Sequence, residues 1–285
     1  MDTSRPAKDG FSLEATAALT AGALGFMPRL LVLTTLPHSR PAGHRLERVN
    51  GRHSLRMWAP RRIGLPFGSY PRLLLAWLTT EAVRTKSPEI HLGTTPNDLA
   101  RKLGLSTISG TRGTAHRLEN QLRRLLSTRL DWKSSLGLHP TLSGSGLVTS
   151  DYPSPLRLAR ELIQRRPPWR FEVVLGSDFF HEITRSAVPV DLRAVRQLQR
   201  SPLAIDLYIW LTYRMSYLRK PTLVPSEGLQ AQFGASYARL RDFRRNTLAY
   251  LQAVLRVYPA VRIGQVDTGL RLYPSQPHVQ ARSFR

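Results

Sequence analysis

The sequence predicts a helix-rich α+β chain built from two tandem winged helix-turn-helix domains. Two stretches share one order of elements: a helix, a short strand, a helix, a turn, a long helix and a closing pair of strands. Short motifs recur at similar offsets, since Trp210-Leu211-Thr212 repeats Trp77-Leu78-Thr79 and Leu229-x4-Gly234 repeats Leu99-x4-Gly104. Basic charge also peaks twice, with 13 Lys and Arg against 5 Asp and Glu in residues 61–140 and 12 against 4 in residues 201–285. Together these features favour a duplicated architecture.

The predicted division has four parts. Their bounds are an N-terminal arm with a possible hairpin (1–60), a first winged-helix domain (61–140), a linker or long loop (141–170) and a second winged-helix domain (171–285). In the arm we expect a helix over residues 11–26, then strands at 30–36 and 55–59 that flank a polar excursion. The apolar run of residues 15–36 is not a predicted membrane span, because acidic residues precede it and Pro28 and Arg29 interrupt it.

The elements of the first domain are predicted from local patterns. Pro71 suits a helix N-terminus, and apolar residues near helical spacing extend this helix over about 70–84. Thr94 or Thr95 can cap the next helix, which Gly104 ends after a short strand at 89–92. A third helix covers about residues 110–126, and residues 130–138 begin a wing.

The second domain contains the stretch around which the chain is organised, residues 223–258. A strand over 171–175 and a helix over 178–184 lead to a helix after Pro202. Within 223–258, Ser226 opens a short helix, a turn is expected at Gly234, and a long helix begins near Tyr237. Strands at 260–264 and 269–273 close the domain. In a helix-turn-helix the second helix enters the major groove of DNA, so the long helix is the candidate reader.

Charge and composition favour a polyanionic partner. The formal net charge is +23, from 42 Lys and Arg against 19 Asp and Glu, and a field of this size attracts nucleic acid. Arginine dominates, and its planar fork can pair with phosphate or with the guanine edge, although a genome rich in G and C also raises arginine content. The chain has no cysteine, which excludes disulfides and thiolate metal sites and is compatible with a reducing cytoplasm.

The long helix carries the first group of predicted DNA-binding residues. Its apolar residues recur at helical spacing on one side, and most of its basic residues fall on the other. Arg244 falls inside the apolar arc, so either its stem is buried with its charge at the surface, or the first turns project beyond the core. The alternative for these arginines is a solvated helix face without a DNA partner. Tyr237 either contacts DNA or packs as a hydrophobic staple at the start of the helix. The predicted contacts are Tyr237, Arg239, Arg241, Arg244, Arg245 and Asn246.

The third helix of the first domain carries a second group. Its polar face presents Arg112, His116, Asn120 and Arg123. We expect these residues to contact DNA, in a neighbouring groove or along the phosphate backbone, with contact to another protein as the alternative.

Enzyme sites are not predicted. The chain has no GxxxxGK[ST] sequence and therefore no expected ATP site. His181-Glu182 lacks the second histidine of a zincin helix, and the histidines show no metal spacing. No His-x-His pair is present, which argues against metal-dependent nucleases that nick DNA. We therefore expect neither a catalytic residue, a metal nor another cofactor.

Several long stretches resemble one family, the plasmid-encoded RepA replication initiators. The resemblance covers most of residues 25–278 except 139–168. It is carried by GLPFG and PRL within residues 64–73, TTEAVRTKSPEI at 79–90, VPVDLRAVRQLQRSPLAIDLYIWLTYR at 188–214 and GLQAQFGASYARLRDFRRN at 228–246.

The resemblance implies a non-enzymatic origin-binding protein. Such an initiator recognises repeated sites in double-stranded DNA at a plasmid origin, helps to open adjacent A·T-rich duplex, and brings in host replication proteins such as a helicase or a host initiator. It also implies a possible homodimer, no membrane, a cytoplasmic location in bacteria, and a C-terminal domain as the main reader. Two rival interpretations stay open: a winged-helix transcriptional repressor that binds an operator, and an origin-nicking nuclease.

Overall fold

The computed structural model describes residues 22–107, 113–134, 142–146, 171–234 and 237–279. The chain is a helix-rich mixture of helices and short antiparallel strands. Its N-terminal half comprises β1 (Leu24–Met27), α1 (Arg29–Thr34), β2 (Arg45–Asn50), β3 (His53–Trp58), α2 (Ser69–Thr85), β4 (Glu89–Gly93), α3 (Pro96–Lys102), α4 (Thr114–Leu126), β5 (Arg129–Ser134) and β6 (Leu142–Gly146).

The C-terminal half repeats much of this order. It comprises β7 (Phe171–Val174), α5 (Ser177–Ser186), β8 (Val188–Asp191), α6 (Leu192–Gln197), α7 (Pro202–Tyr217), β9 (Thr222–Pro225), α8 (Ser226–Phe233), α9 (Leu240–Val257), β10 (Arg262–Val266) and β11 (Gly269–Tyr273). In each half a long buried helix (α2 or α7) precedes a strand, a shorter helix, a long helix and a pair of strands.

The strands form four small sheets, two of which join the halves. The larger sheets have the orders β2-β3-β5-β6 and β10-β11-β9. In the other two, β1 pairs with β8 and β4 pairs with β7, both antiparallel. One continuous hydrophobic core also includes residues of both halves. The division of the chain into four parts stays a prediction. Strand pairing and core packing both join residues on either side of the segment 141–170.

The helices begin and end where sequence signals place them. Thr95 caps α3, because its hydroxyl accepts a hydrogen bond from the Asp98 N–H at 3.0 Å, and Ser201 caps α7 through the Ala204 N–H at 3.2 Å. Gly104 comes just after α3 with φ of +69°, a conformation that glycine adopts without strain. Outside the arm, the predicted helices and strands of both halves are therefore confirmed to within a few residues.

The arm is where the predictions were wrong. Residues 30–36, predicted as a strand, belong largely to helix α1, whose Leu30, Leu31 and Val32 are buried. A short continuous apolar run fits a buried strand and a buried helix equally, so its periodicity could not decide. The helix predicted over 11–26 falls mainly outside the described residues, and its last residues form strand β1.

A hairpin does occur in the arm, but its first strand is β2 rather than residues 30–36. Asn50 pairs with His53 across a two-residue turn, and Gly51 takes φ of +57° there. Glycine at the first position of a two-residue loop is a typical hairpin signal, and Gly51 lay inside the region predicted as an excursion.

Candidate nucleic-acid interface

The helices α8 and α9 are held together by apolar side chains. Leu229 and Phe233 of α8 are buried, as are Phe243, Leu251 and Val254 of α9. The Phe233 ring meets the Trp210 ring of α7 at a centroid distance of 5.7 Å. Helix α7 therefore packs against the buried side of the helix pair.

Gly234 ends α8 in close contact with the backbone of that helix. The Gly234 N–H donates to the Gln230 carbonyl at 2.7 Å, and a Cβ at Gly234 would lie 2.7 Å from that same oxygen. The Tyr237 N–H then donates to the Gly234 carbonyl at 2.8 Å. Glycine is needed here because a side chain would collide with the preceding helix backbone.

Tyr237 packs against the protein. Its ring lies 5.6 Å from the Phe243 ring in an edge-on arrangement, and burial raises the pKa of its hydroxyl. Of the two interpretations of Tyr237, this geometry favours packing as a hydrophobic staple at the start of the helix. Contact with DNA through its partly exposed side remains a prediction.

The N-terminal end of α9 presents basic side chains to solvent. Arg239 occupies the N-cap position and Arg241 lies in the first turn, and both are exposed. Within the described residues neither arginine has a carboxylate partner. Arg245 is also exposed, but its Nη2 lies 3.3 Å from Asp242 Oδ1. The N-cap and first two turns of α9 therefore carry three exposed arginines, one of which is partly neutralised.

Asn246 is engaged on its own helix. Its Nδ2 donates to the Asp242 carbonyl at 2.8 Å, and the residue is half-buried. The helix begins at Leu240, three residues later than Tyr237, where the sequence placed its start.

The structure explains the position of Arg244 on the apolar arc of α9. Arg244 is half-buried and lines a groove of about 220 Å³ between α9 and the hairpin β10–β11. Gln265 and Asp267 of the hairpin line the same groove. The hairpin leaves this part of the apolar arc uncovered, so an arginine fits there without entering the core.

The hairpin is fixed to the helix pair. The Ser226 N–H at the start of α8 donates to the Thr268 carbonyl in the hairpin turn at 2.9 Å. Strand β9, which leads into α8, pairs with β11 in the same sheet. Arg262 and Arg271 lie exposed on the outer face of this hairpin. A backbone hydrogen bond and the pairing of β9 with β11 therefore attach the hairpin β10–β11 to the start of α8.

Helix α8 is also braced by the arm. Gln232 is buried, and its Nε2 donates to the Val32 carbonyl of α1 at 2.8 Å. The Gln232 carbonyl accepts from Thr35 Oγ1 and from Arg48 Nη1, each at 3.4 Å. Val32, Thr35 and Arg48 of the arm thus brace α8, the helix that precedes the candidate reader.

The corresponding helix of the first half, α4, uses its polar residues differently. His116 is exposed, Arg123 is half-buried, and Arg112 lies outside the described residues. Asn120 Oδ1 accepts from Arg124 Nε at 2.8 Å. Arg124 is buried and its Nη1 donates to the Leu65 carbonyl at 3.3 Å. Of the predicted polar face, Asn120 is therefore bonded within the protein, whereas His116 stays open to solvent.

A buried charge cluster joins the two halves, and sequence reasoning missed it. Arg72 of α2 donates to both carboxylate oxygens of Asp206 in α7, at 2.7 and 2.6 Å. His38 Nε2 lies 2.8 Å from Asp206 Oδ2. Burial lowers the pKa of His38. Burial alone would raise the pKa of Asp206, but the charge of Arg72 and the two hydrogen bonds hold it below its ordinary value.

One signal for this cluster was present. Arg72 and Asp206 both interrupt apolar runs on helices predicted to be buried, and buried charges need partners. No spacing rule could pair two residues so far apart in the chain.

None of the helices in the described ranges is long and apolar enough to cross a membrane.

Two solved structures of RctB domains align with this chain. The crystal structure of domains 2 and 3 of RctB, determined as selenomethionine derivatives, aligns with a TM-score of 0.51 at 14% identity over 87% of this chain and 98% of that chain. A second structure of RctB domains 2-3 aligns with a TM-score of 0.48 at 14% identity over 82% of this chain and 83% of that one. At 14% identity, the first of these alignments shows a likeness of fold alone.

Sequence comparison identifies the family. No curated protein sequence matches the chain. The family model described as plasmid encoded RepA protein matches residues 65–222, more than half of the chain. The match includes the stretches at 79–90 and 188–214 that carry the resemblance. The chain therefore belongs to the family of plasmid-encoded RepA proteins.

Proposed function

We propose that this protein is a plasmid replication initiator that binds repeated sites at the plasmid origin through two winged helix-turn-helix modules. The observation that carries the proposal is the N-terminal end of α9. Arg239 and Arg241 are exposed there, on a helix pair braced by α7 and by the arm. Membership of the RepA family supports the same role.

In this proposal α9 enters the major groove and reads base edges. An arginine can donate two hydrogen bonds to guanine O6 and N7, and Arg239, Arg241 and Arg245 are placed to reach outward from the first turns. Arg244, in the groove beside the hairpin, is placed to approach a phosphate or the edge of a base. The hairpin β10–β11 is the wing, and its Arg262 and Arg271 contact the neighbouring backbone.

The first module holds the DNA rather than reading it. Helix α4 offers His116 and Arg123 at its surface, while Asn120 and Arg124 are bonded within the protein. Backbone contacts orient a protein on the duplex without carrying sequence information. Two modules on one face would span about one helical turn, roughly 10 base pairs.

The later steps of initiation come after DNA binding. The bound protein promotes opening of adjacent A·T-rich duplex and recruits host replication proteins, and a homodimer regulates its activity. It acts by binding, without enzymatic chemistry or a cofactor. The absence of nucleotide and metal motifs from the sequence supports this last point.

Equilibrium binding of the full chain to labelled duplexes tests the DNA-binding step. One duplex carries an origin repeat of the parent plasmid, and a second carries the same bases in scrambled order. We expect tighter binding to the repeat and a steep loss of affinity as salt rises, because phosphate contacts release counterions. Equal affinity for both duplexes would overturn the proposed site recognition.

A plasmid assay tests the initiator role itself. A plasmid that carries the origin but lacks the initiator gene is introduced into cells that express this protein from a second plasmid. We expect stable transformants, and none when the protein is absent. A transcriptional repressor would bind its operator in the first assay but give no transformants in this one.

A further inference from the structure

The solvent face of the sheet β2-β3-β5-β6 has a composition that the proposed function does not explain. Side chains of a strand alternate between two faces, and register assigns each residue to one of them. The inner face carries Leu46, Leu55, Met57 and Leu130, together with Trp132, which is fully buried. The outer face carries a second tryptophan, Trp58.

Trp58 lies between two arginines, and we call Arg45, Trp58 and Arg129 the Trp58 row. On the outer face, Arg45 of β2 and Arg129 of β5 are its direct partners in register. Directly opposed side chains have Cβ atoms about 5 Å apart, so both basic stems flank the indole. Trp58 is half-buried, and among the residues that the structure describes it lies outside the hydrophobic core cluster. An indole in this position is not explained by core packing.

The charges of this row are not neutralised within the described part of the chain. Arg45 and Arg129 are exposed, and no carboxylate there pairs with either of them. Two further exposed arginines, Arg61 and Arg62, lie close to Trp58 in the sequence. This end of the sheet therefore combines an accessible aromatic side chain with a concentration of positive charge.

The next row of the same face shows the contrast. There Arg56 lies between Glu47 and Asp131 in register, and its Nε donates to Glu47 Oε1 at 2.9 Å. Its positive charge is balanced locally. On this face, the described strands therefore carry unpaired positive charge in the Trp58 row and, two rows further on, at the exposed Lys133 opposite Ser54. Among the outer-face residues of β2, β3 and β5, the Trp58 row alone adds an aromatic side chain, which places the proposed site at that end of the sheet.

We propose that the Trp58 row binds single-stranded DNA, with a base stacked on the indole and phosphates beside Arg45 and Arg129. Stacking between a base and an aromatic side chain requires an exposed base face, which a B-form duplex hides and an unpaired strand offers. The inference rests on the proposed function, because the opening of duplex at an origin supplies an unpaired strand. The site lies on a different element from α9, so one protein could hold duplex and single strand through separate surfaces.

Fluorescence anisotropy of the full chain with labelled dT20 and with the origin duplex tests this site. We expect Trp58→Ala to weaken binding to dT20 about ten-fold, since loss of one stacked base has an effect of this order. Binding to the origin duplex should change by less than about two-fold, because α9 is untouched. Trp58→Phe should retain most of the dT20 affinity, since its ring still stacks.

Charge variants probe the same row with the indole intact. Arg45→Gln with Arg129→Gln should weaken dT20 binding and flatten its salt dependence by about one to two in slope, given about 0.7 per phosphate contact on a single strand. Arg56→Gln is the matched control on the same face, and its ion pair with Glu47 predicts little effect. Circular dichroism confirms that each variant is folded.

The outcomes separate this inference from the function on which it rests. Unchanged dT20 affinity in Trp58→Ala and in the double arginine variant would overturn the single-strand site, as would equal losses on dT20 and on duplex. Preference for rU20 over dT20 would overturn the assignment to DNA. Wild-type protein that binds origin duplex but not dT20 would overturn the inference alone. Binding to dT20 without any preference for the origin repeat would overturn the proposed function alone.

Discussion

The two helix pairs of this protein share one order of elements but use their arginines differently. In the first pair, Arg124 of α4 is buried, bonds to Asn120 and Leu65, and lies 5.3 Å over the Phe67 ring. In the second pair, Arg239 and Arg241 at the start of α9 are exposed to solvent. The similar net charges of the two segments conceal this difference.

Available acceptors, rather than the number of arginines, decide what a basic helix can do. Beside α4 lies the segment 64–67, whose backbone bonds to Arg124 and to Gln121, the latter through the Phe67 N–H at 2.9 Å. Beside the start of α9, within the described residues, Asp242 neutralises Arg245 and leaves Arg239 and Arg241 unpaired. An arginine without an internal partner is the one that an external anion can bind.

The largest expected effect comes from breaking the charge cluster that joins the two halves. Asp206→Ala leaves Arg72 buried without its carboxylate, and loss of one partner of a buried ion pair costs about 3–5 kcal/mol in the free energy of unfolding. Chemical denaturation measures this loss. The matched control is Glu47→Ala, which removes the partner of the exposed Arg56 and should cost less than about 1 kcal/mol. A loss under about 1 kcal/mol for Asp206→Ala would contradict the cluster's role in joining the halves.

The next effect concerns the hairpin beside the groove of the second helix pair. A Cβ at Gly269 would lie 2.1 Å from the Val224 carbonyl oxygen, so Gly269→Ala should force β9 and β11 apart and destabilise the protein by about 1–3 kcal/mol. Thermal unfolding measures the change. Gly228→Ala is the control, since nothing lies within 4 Å of its Cβ and alanine favours a helix. Equal stabilities of the two variants would show that the hairpin tolerates displacement.

A smaller effect on stability concerns the N-terminus of the first helix in each pair, α3 or α8. Thr95 caps α3 with its side chain, whereas Pro225 at the corresponding position of α8 has no side-chain cap. Thr95→Ala should therefore destabilise the protein by about 1 kcal/mol. Thr95→Ser should restore most of the loss, because serine caps as well as threonine. No difference between these two variants would exclude the capping bond as a source of stability.

The smallest effect is a dependence on pH at the joint between the halves. Burial lowers the pKa of His38 beside Asp206, Arg72 and Arg48, so the unfolded chain takes up a proton that the folded chain resists. Stability should therefore fall as pH drops below about 6.5, by less than about 1 kcal/mol at pH 6.0. Unfolding of wild type and His38→Gln at pH 7.5 and 6.0 measures it. Identical pH dependence in the two proteins would contradict the assignment to His38.

Local sequence signals predicted most of the elements, and their failures have physical causes. Pro71, Thr95 and Gly104 mark helix ends through backbone chemistry that involves only near neighbours, so α2 and α3 were predicted closely. The prediction for the arm failed at 30–36 because burial on all sides removes the periodicity that separates a helix from a strand.

For the candidate site, the sequence did not predict contacts between residues that lie far apart in the chain. The helical wheel placed Arg244 correctly in the apolar arc of α9, but the groove that accepts it is formed by residues of the hairpin. Likewise Asn120 was assigned to a DNA-facing surface, and its bond to Arg124 became visible only in the fold. The bracing of Gln232 by Val32 joins residues that no local pattern connects.

The central claim is that α9 reads sequence and α4 does not, and one measurement compares them directly. Affinities for origin and scrambled duplexes are determined for Arg241→Ala with Arg245→Ala in α9, and for His116→Ala with Arg123→Ala in α4. We expect the α9 variant to lose at least about ten-fold of its preference for the origin, and the α4 variant to weaken binding to both duplexes equally. Loss of preference in the α4 variant, with preference intact in the α9 variant, would contradict the account.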